Sequence, residues 1–215
     1  MTTKKLLLLA GALLGWIAIL VQLVLIIQNR VASIPETIVR FFSFFTILTN
    51  IIVAVFFTVL YAKRNEKKLP SFLSANNQTA VAVYILVVGI VYNVVLRFLW
   101  APVGYQRIVD ELLHLVIPLL YFFYWLRFVP KNNLQWKYLL RWLVYPITYL
   151  VFILIRGAMA NPAFYPYPFV DVYKLGYPKV MTNCVFVMLL FLLISIVFIA
   201  AGRYSKKKMS AEILN

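Results

Sequence analysis

Six long apolar stretches, separated by short polar and basic segments, dominate the pattern of this sequence. A helix needs about 20 residues to cross roughly 30 Å of hydrocarbon, and each stretch is close to that length. Open sheet edges are excluded from lipid and no alternating strand pattern recurs, so we expect transmembrane helices. The pattern predicts an all-α, polytopic membrane protein in which residues 1–215 form a single domain. The predicted spans cover approximately residues 6–27, 38–62, 79–101, 108–129, 138–160 and 180–202.

Composition supports lipid as the solvent. Hydrophobic residues make up 64% of the chain and charged residues 13%, which leaves too little polar surface to cover a soluble fold. The net charge of +15 is typical of nucleic-acid binding, but here the basic residues fall in short clusters between apolar stretches. We therefore expect membrane lipids rather than nucleic acid as partners. The oligomeric state is left open.

The basic clusters predict the orientation in the membrane. With six spans, 14 of the 21 Lys and Arg residues lie on the side of the termini and seven on the other. Cytoplasmic segments carry the excess of positive charge, so both termini are predicted to be cytoplasmic. The protein is expected to be a multi-pass protein of the cell or inner membrane.

Polar side chains inside the spans fall at similar depths in the outer leaflet. Charged groups cost about 2.5 to 3.5 kcal/mol each within a bilayer, so such residues indicate function. Helical spacing places them on one stripe of each helix, and we expect the stripes to face a common pocket. The residues are Thr46, Asn50, Asn93, Arg97, Asp110, Glu111, His114, Tyr149 and Arg156.

Two prolines within the spans are predicted to release backbone carbonyl groups. Proline has no N–H, so Pro118 leaves the carbonyl of His114 without its helical partner, and Pro146 does the same for Trp142. We expect a bend at Pro118.

The pocket residues suit nucleophilic catalysis. A hydroxyl nucleophile needs a base, and the base is best held by a third group; Thr46, His114 and either Asp110 or Glu111 meet this need. Asn50 and Asn93 are candidates to support them. The alternative for a membrane threonine is a helix-packing role through hydrogen bonds.

Cationic and aromatic residues of the pocket are candidates for substrate binding. Arg97, Arg156 or Asn93 could stabilise an oxyanion or hold a substrate carboxylate, and Tyr149 lies on the same stripe as Arg156. The two arginines could instead extend to phosphate head groups.

Metal chemistry is the weaker alternative. Glu111 and His114 form a Glu-x-x-His pair, but a second such pair is missing and no other histidine exists in the chain. We expect no metal and no cofactor. The sequence also lacks a glycine-rich phosphate loop and a nucleophile elbow.

A loop before the last span combines prolines with aromatic residues. Because proline restricts the backbone, the loop is predicted to be stiff and extended and to cover the pocket, with Asp171 turned toward Arg107 or Arg156. The alternative is an aromatic belt at the membrane surface. The loop contains Pro162, Phe164, Tyr165, Pro166, Tyr167, Pro168, Phe169 and Asp171.

Several short strings together resemble one protein family. They are Phe44-Phe45-Thr46-Ile47-Leu48-Thr49-Asn50, His114-Leu115-Val116-Ile117-Pro118, Tyr145-Pro146, Tyr165-Pro166-Tyr167-Pro168-Phe169-Val170-Asp171 and Leu175-Gly176-Tyr177. Their order over nearly the whole chain resembles the bacterial Pr-six-Pr membrane proteins. These are similar to the animal androgen-induced-gene and ADTRP proteins.

The resemblance implies a six-span fold and an intramembrane threonine hydrolase that cleaves fatty acid esters of hydroxy fatty acids. It implies Thr46 and His114 as catalytic residues, and it includes Tyr167 without assigning its role. The expected ligand is a lipid-like ester or small acid. The second hypothesis is a non-enzymatic protein that binds or transports a lipid or small acid, or that assists membrane assembly.

The orientation generates a first prediction. A reporter fused after Lys208 should be cytoplasmic, and one inserted in the loop of residues 161–177 should be external, because the charge bias and the even number of spans require it. Topology reporters with alkaline phosphatase and green fluorescent protein measure both. Finding both sites on one side of the membrane would contradict the six-span topology.

Overall fold

The computed structural model describes residues 2–66, 68–131, 134–160 and 163–214, with side chains as far as Arg203. All regular elements of this part are helical. The α-helices are α1 Thr3–Gln28, α2 Ile34–Phe42, α3 Phe45–Ala62, α4 Ala75–Val94, α5 Gly104–Glu111, α6 Ile117–Phe128, α7 Tyr138–Met159 and α8 Val172–Leu214. A π-helical turn, Leu112–Val116, joins α5 to α6, and 3-10 turns occupy Ser71–Leu73, Leu96–Phe98 and Pro168–Val170.

Six helical segments of the described chain are long and apolar enough to cross a membrane, which confirms the all-α six-helix prediction. α5, the π-helical turn and α6 together form the fourth of them. α8 is kinked at Gly176, whose φ of 73° lies in the left-handed region that glycine adopts without steric cost. The segments are Thr3–Gln28, Phe45–Ala62, Ala75–Phe98, Gly104–Phe128, Tyr138–Met159 and Val172–Arg203.

The second span differs from its prediction. The apolar stretch 38–62 reads as one helix, but the chain breaks at Ser43 and Phe44, between α2 and α3. Phe44 has an extended backbone, with φ of −83° and ψ of 123°. Neither proline nor glycine stands at this break, so the sequence carried no signal for it. As a result, Thr46 lies in the first turn of α3 rather than in the middle of a helix.

Helix α4 forms the centre of the bundle. About 61% of the residues in the apolar 18-residue stretch of this span are buried, against 17% for the corresponding stretch of α7. It packs against α3, α6 and α8, while α1 packs chiefly along α3. A central helix contacts most of the others, so polar side chains on α4 can reach several neighbouring backbones.

Those side chains satisfy the carbonyl groups that the prolines release. The His114 carbonyl accepts a hydrogen bond from Asn93 Nδ2 at 3.1 Å, and the Trp142 carbonyl accepts one from Tyr84 Oη at 2.8 Å. Both donors come from α4. A backbone carbonyl left unpaired in hydrocarbon is costly, so these two bonds fix the rotation of α4 against α6 and α7.

The Tyr84 bond generates a second prediction. Tyr84→Phe should lower the free energy of unfolding by about 1 to 2 kcal/mol, because it leaves the Trp142 carbonyl buried and unpaired. Denaturation by SDS in detergent micelles measures this change. Tyr105→Phe, at a tyrosine that is 76% exposed, is the matched control.

A second substitution tests the cause. Pro146→Ala restores an N–H four residues after Trp142, so the loss caused by Tyr84→Phe should shrink in the double variant. Equal losses with and without Pro146 would show that the tyrosine hydroxyl acts in some other way.

An ion-pair cluster fixes α2 to α7 at the end of the bundle opposite the chain termini. Glu36 Oε1 accepts hydrogen bonds from Arg40 Nε at 2.8 Å and Arg156 Nη2 at 2.7 Å. The ring of Phe164 lies 4.6 Å from the first guanidinium carbon and 5.0 Å from the second. The loop before α8 is thereby attached to both helices. In the same region Gly157 has no room for a Cβ, because Tyr165 packs directly on it.

This cluster generates a third prediction, on pH. Hydrogen bonds from Arg40 and Arg156 lower the pKa of Glu36 from its ordinary 4.5. A carboxyl group with a lowered pKa stabilises the fold above its ordinary pKa, and this contribution is lost as the pH falls through the lowered value. Thermal unfolding in detergent should therefore lose stability below about pH 4.5 in the native protein, and less so in Glu36→Gln. Glu66→Gln, at an exposed pair with Lys63, should retain the native pH dependence.

Candidate functional site

A cavity of about 440 Å³ lies near the end of the bundle opposite the chain termini. Its walls come from α1, α3, the end of α4, α5 with the π-helical turn, and the loop before α8. Thr46, Tyr92, Asp110, His114 and Tyr167 all line it. The cavity thus brings together residues from four separate parts of the sequence.

Thr46 contacts the loop residue Tyr167 twice. Its backbone N–H donates to Tyr167 Oη at 3.2 Å, and its Oγ1 lies 3.3 Å from the same oxygen. The N–H is free for this bond because the break before α3 removes its helical acceptor. Burial raises the pKa of Tyr167, so its phenol stays neutral: it accepts from the Thr46 N–H and keeps a hydrogen that it can donate.

His114 is held by Asp110 and by Tyr92. Its Nδ1 lies 2.9 Å from the backbone oxygen of Asp110 and 3.4 Å from Oδ1 of the same residue. The Tyr92 ring stacks on the imidazole at 3.9 Å, and its hydroxyl donates to the Asp110 carboxylate. Trp100 Nε1 donates to that carboxylate as well, at 3.2 Å. Of the two acids that the sequence left open, Asp110 is therefore the one that contacts the histidine.

Glu111 points elsewhere. It receives two hydrogen bonds from Arg97, at 2.6 and 2.7 Å, and Arg97 Nε donates to Asn93 Oδ1 at 2.9 Å. Because this carboxylate is occupied, a metal site made of Glu111 and His114 is not supported. Within the described ranges, no group of three or more His, Cys, Asp or Glu side chains could hold a metal ion.

Two asparagines support the backbone around the site. Asn50 Nδ2 donates to the carbonyls of Thr46 at 2.9 Å and Leu113 at 3.2 Å, which links α3 to the π-helical turn. Asn93 Nδ2 donates to the His114 carbonyl, and α4 approaches the π-helical turn closely there: a Cβ on Gly89 would lie 3.2 Å from that oxygen. Both asparagines therefore position catalytic candidates without needing to contact a substrate.

The predicted substrate-binding arginines do not line the cavity. Arg97 is paired with Glu111 and Arg156 with Glu36. Among the described residues that line the cavity, none is a lysine or arginine, and Asp110 is the single acidic residue. The geometry therefore does not support the capture of a substrate carboxylate by these arginines.

Asp171 also differs from its prediction. The expected ion pair with Arg107 or Arg156 is wrong, because the carboxylate contacts Lys174 instead. Its Oδ1 accepts a hydrogen bond from the Lys174 backbone N–H at 3.2 Å, and its Oδ2 lies 3.8 Å from Lys174 Nζ. Asp171 directly precedes α8, where an aspartate side chain satisfies a free N–H of the first turn. The loop contacts the site through Tyr167, not through Asp171.

A second, smaller cavity lies on the other side of Thr46. Its volume is about 80 Å³, and its lining from α3, α4, α7 and α8 is mostly apolar. Thr46, Tyr92, Leu96 and Tyr167 line both cavities, so they form the boundary between the two. Tyr149, a predicted substrate-binding residue, lines the smaller one and donates to the Ser43 carbonyl at 2.8 Å.

Sequence reasoning missed several residues of the larger cavity, among them two aromatic residues and two glutamines. Tyr92 and Trp100 read as ordinary apolar positions, and no sequence signal separates them from core aromatics. Gln22 and Gln106 bond to each other at 2.8 Å across α1 and α5. Gln22 did carry a signal, since it is a lone amide in the apolar first span.

Comparison with known proteins gives no match. The chain matches no family model, no curated protein and no solved structure. The resemblance to the Pr-six-Pr and ADTRP proteins stays a prediction from short motifs, and the function of this six-helix membrane protein is inferred from the geometry of its own site.

Proposed function

We propose that the protein is an intramembrane hydrolase of lipid esters that uses Thr46 as nucleophile and His114 as general base. The observation that carries this proposal is that both side chains line one cavity, with Asp110 bonded to the histidine. A nucleophile, a base and a group that orients the base are the components of hydroxyl-based acyl transfer.

The bonds of His114 make it suitable as a base. A carbonyl oxygen only accepts, so the imidazole nitrogen that faces the Asp110 carbonyl carries the hydrogen. The other nitrogen, Nε2, then has the free lone pair. The stacked ring of Tyr92 holds the plane of the imidazole, and the Asp110 carboxylate stabilises the imidazolium that forms on protonation.

The position of Thr46 favours a nucleophile. It lies in the first turn of α3, where the helix dipole stabilises negative charge on a developing alkoxide. When the Tyr167 hydroxyl donates to Thr46 Oγ1, the threonine proton is directed away from the loop. Apo sites often hold such pairs loosely, so the lack of a direct Thr46–His114 hydrogen bond among the described residues is compatible with this role.

The proposed reaction has two steps, acylation of Thr46 and hydrolysis of the acyl-threonine ester. His114 removes the Thr46 proton as Oγ1 bonds to the acyl carbon, and the same proton passes to the departing alcohol. Water then attacks the acyl-threonine ester, with His114 again as base, and releases the carboxylic acid and free Thr46. No metal or cofactor is needed. The motif resemblance to intramembrane threonine hydrolases supports the same two residues.

A non-enzymatic binding function is the second candidate. The observation that favours it is that Thr46 Oγ1 already lies within hydrogen-bond distance of Tyr167. In a protein that only binds a lipid or small acid, the hydrogen bond between Thr46 and Tyr167 would stay intact and no acyl transfer would occur.

The fourth prediction separates these candidates. Purified protein should hydrolyse members of a lipid-ester panel, and Thr46→Ala or His114→Gln should reduce kcat/KM by at least about 10³-fold. Thr46→Ser should retain measurable turnover, because it keeps the hydroxyl. A fluorophosphonate should form a covalent adduct at Thr46 with loss of fluoride, as detected by mass spectrometry.

Thr49→Ala is the matched control. Thr49 lies one helical turn further along α3, bonds Tyr145 at 3.2 Å and lines neither cavity, so its removal should leave turnover within about twofold. Turnover that persists in Thr46→Ala, or saturable binding without turnover in the native protein, would favour the binding function.

A further inference from the structure

The two cavities that meet at Thr46 differ in size and in chemistry. The smaller one, about 80 Å³, is lined mostly by apolar side chains between α4, α7 and α8. The larger one, about 440 Å³, is also lined mainly by apolar side chains, but it contains in addition the amides of Gln22, Asn29 and Gln106 and the His114 and Asp110 side chains. An ester whose carbonyl lies beside Thr46 would place one arm in each cavity.

The apolar cavity fits the acyl arm. Its surface is hydrocarbon and aromatic, so an arm with hydrogen-bonding groups would lose water there without compensation. The space between these side chains is small: a protein cavity of about 150 Å³ accommodates benzene, and this one has about half that volume. An acyl group of a few carbon atoms fits.

The larger cavity fits a neutral alcohol arm. Side-chain amides both donate and accept hydrogen bonds, which suits hydroxyl groups. A carboxylate on this arm would meet Asp110 and no lysine or arginine among the described lining residues, because Arg97 is held by Glu111. Burying a negative charge beside another without a cation is unfavourable.

We infer that the preferred substrates are short-acyl esters of neutral, hydroxyl-bearing alcohols, with the acyl arm in the smaller, apolar cavity and the alcohol arm in the larger cavity, which contains the amides. This inference rests on the proposed hydrolase function. It names a narrower class than lipid esters in general and disfavours esters with a free carboxylate.

Binding of non-hydrolysable ethers tests the substrate class independently of catalysis. Three tritiated ligands are compared in a scintillation proximity assay on the purified protein: a butyl ether of a glycerol lipid, the same ether with a carboxylate on the glycerol arm, and a hexadecyl ether. We expect the neutral butyl ether to bind about tenfold more tightly than either of the others. Equal or tighter binding of the carboxylate or the hexadecyl ether would overturn the inference.

Two variants locate the arms. Val187→Phe fills the apolar cavity and should weaken binding of the butyl ether about tenfold, whereas Leu189→Phe, at a position 52% exposed on α8, should not. Gln106→Lys places a cation in the larger cavity and should raise the affinity for the carboxylate ether about tenfold. No effect of Val187→Phe together with no gain from Gln106→Lys would place the ligand elsewhere and overturn the inference.

The binding and turnover experiments fail in different ways. If the neutral butyl ether binds as expected but no ester is hydrolysed in a Thr46-dependent manner, the binding class stands and the hydrolase function is wrong. If Thr46-dependent hydrolysis occurs mainly on long-chain or carboxylate-bearing esters, the hydrolase function stands and this inference is wrong.

Discussion

Backbone carbonyl groups without a helical partner are the constraint on which the rest of this structure depends. Water cannot satisfy them in hydrocarbon, so side chains of neighbouring helices must do so. Pro118 and Pro146 release two such groups, and the π-helical turn brings a third carbonyl, that of Leu113, to α3. Asn93, Tyr84 and Asn50 bond them, and each bond fixes the rotation of one helix against another. The catalytic candidates owe their placement to this network: Asn50 links the backbone of Thr46 to the turn that carries His114.

Charged side chains likewise find partners within the protein. Arginine and glutamate side chains near the ends of the spans pair with one another: Arg97 pairs with Glu111, and Arg156 shares Glu36 with Arg40. A paired arginine that does not line the cavity is poorly placed to bind a substrate carboxylate. The polar side chains that line the mainly apolar cavity include a histidine, a buried aspartate and neutral amides. Of the two kinds of ligand that the sequence suggested, a lipid-like ester or a small acid, this electrostatic setting favours our proposal of an ester with a neutral alcohol arm.

How much of the structure could be predicted depends on the kind of signal that the sequence carries. Hydrophobic length predicted all six spans, because a bilayer imposes the same thickness on each of them. Helical spacing correctly put Asp110 one turn from His114, since that distance is local. It could not assign Glu111 to Arg97 or Asp171 to Lys174, because pairing depends on how helices rotate and where α8 begins. The break at Ser43 and Phe44 was missed because it lies in an unbroken apolar run.

That break gives Thr46 its distinctive setting. In a continuous helix its N–H would bond a carbonyl one turn earlier, and its hydroxyl would resemble that of Thr49, which bonds a neighbouring tyrosine. Interrupted at Phe44, the chain leaves the N–H without a helical acceptor, and the phenol of Tyr167 takes that place. The loop is thereby anchored over the boundary between the two cavities by one oxygen atom. Since that oxygen also contacts Thr46 Oγ1, the residue that holds the loop in place also orients the hydroxyl that we assign as nucleophile.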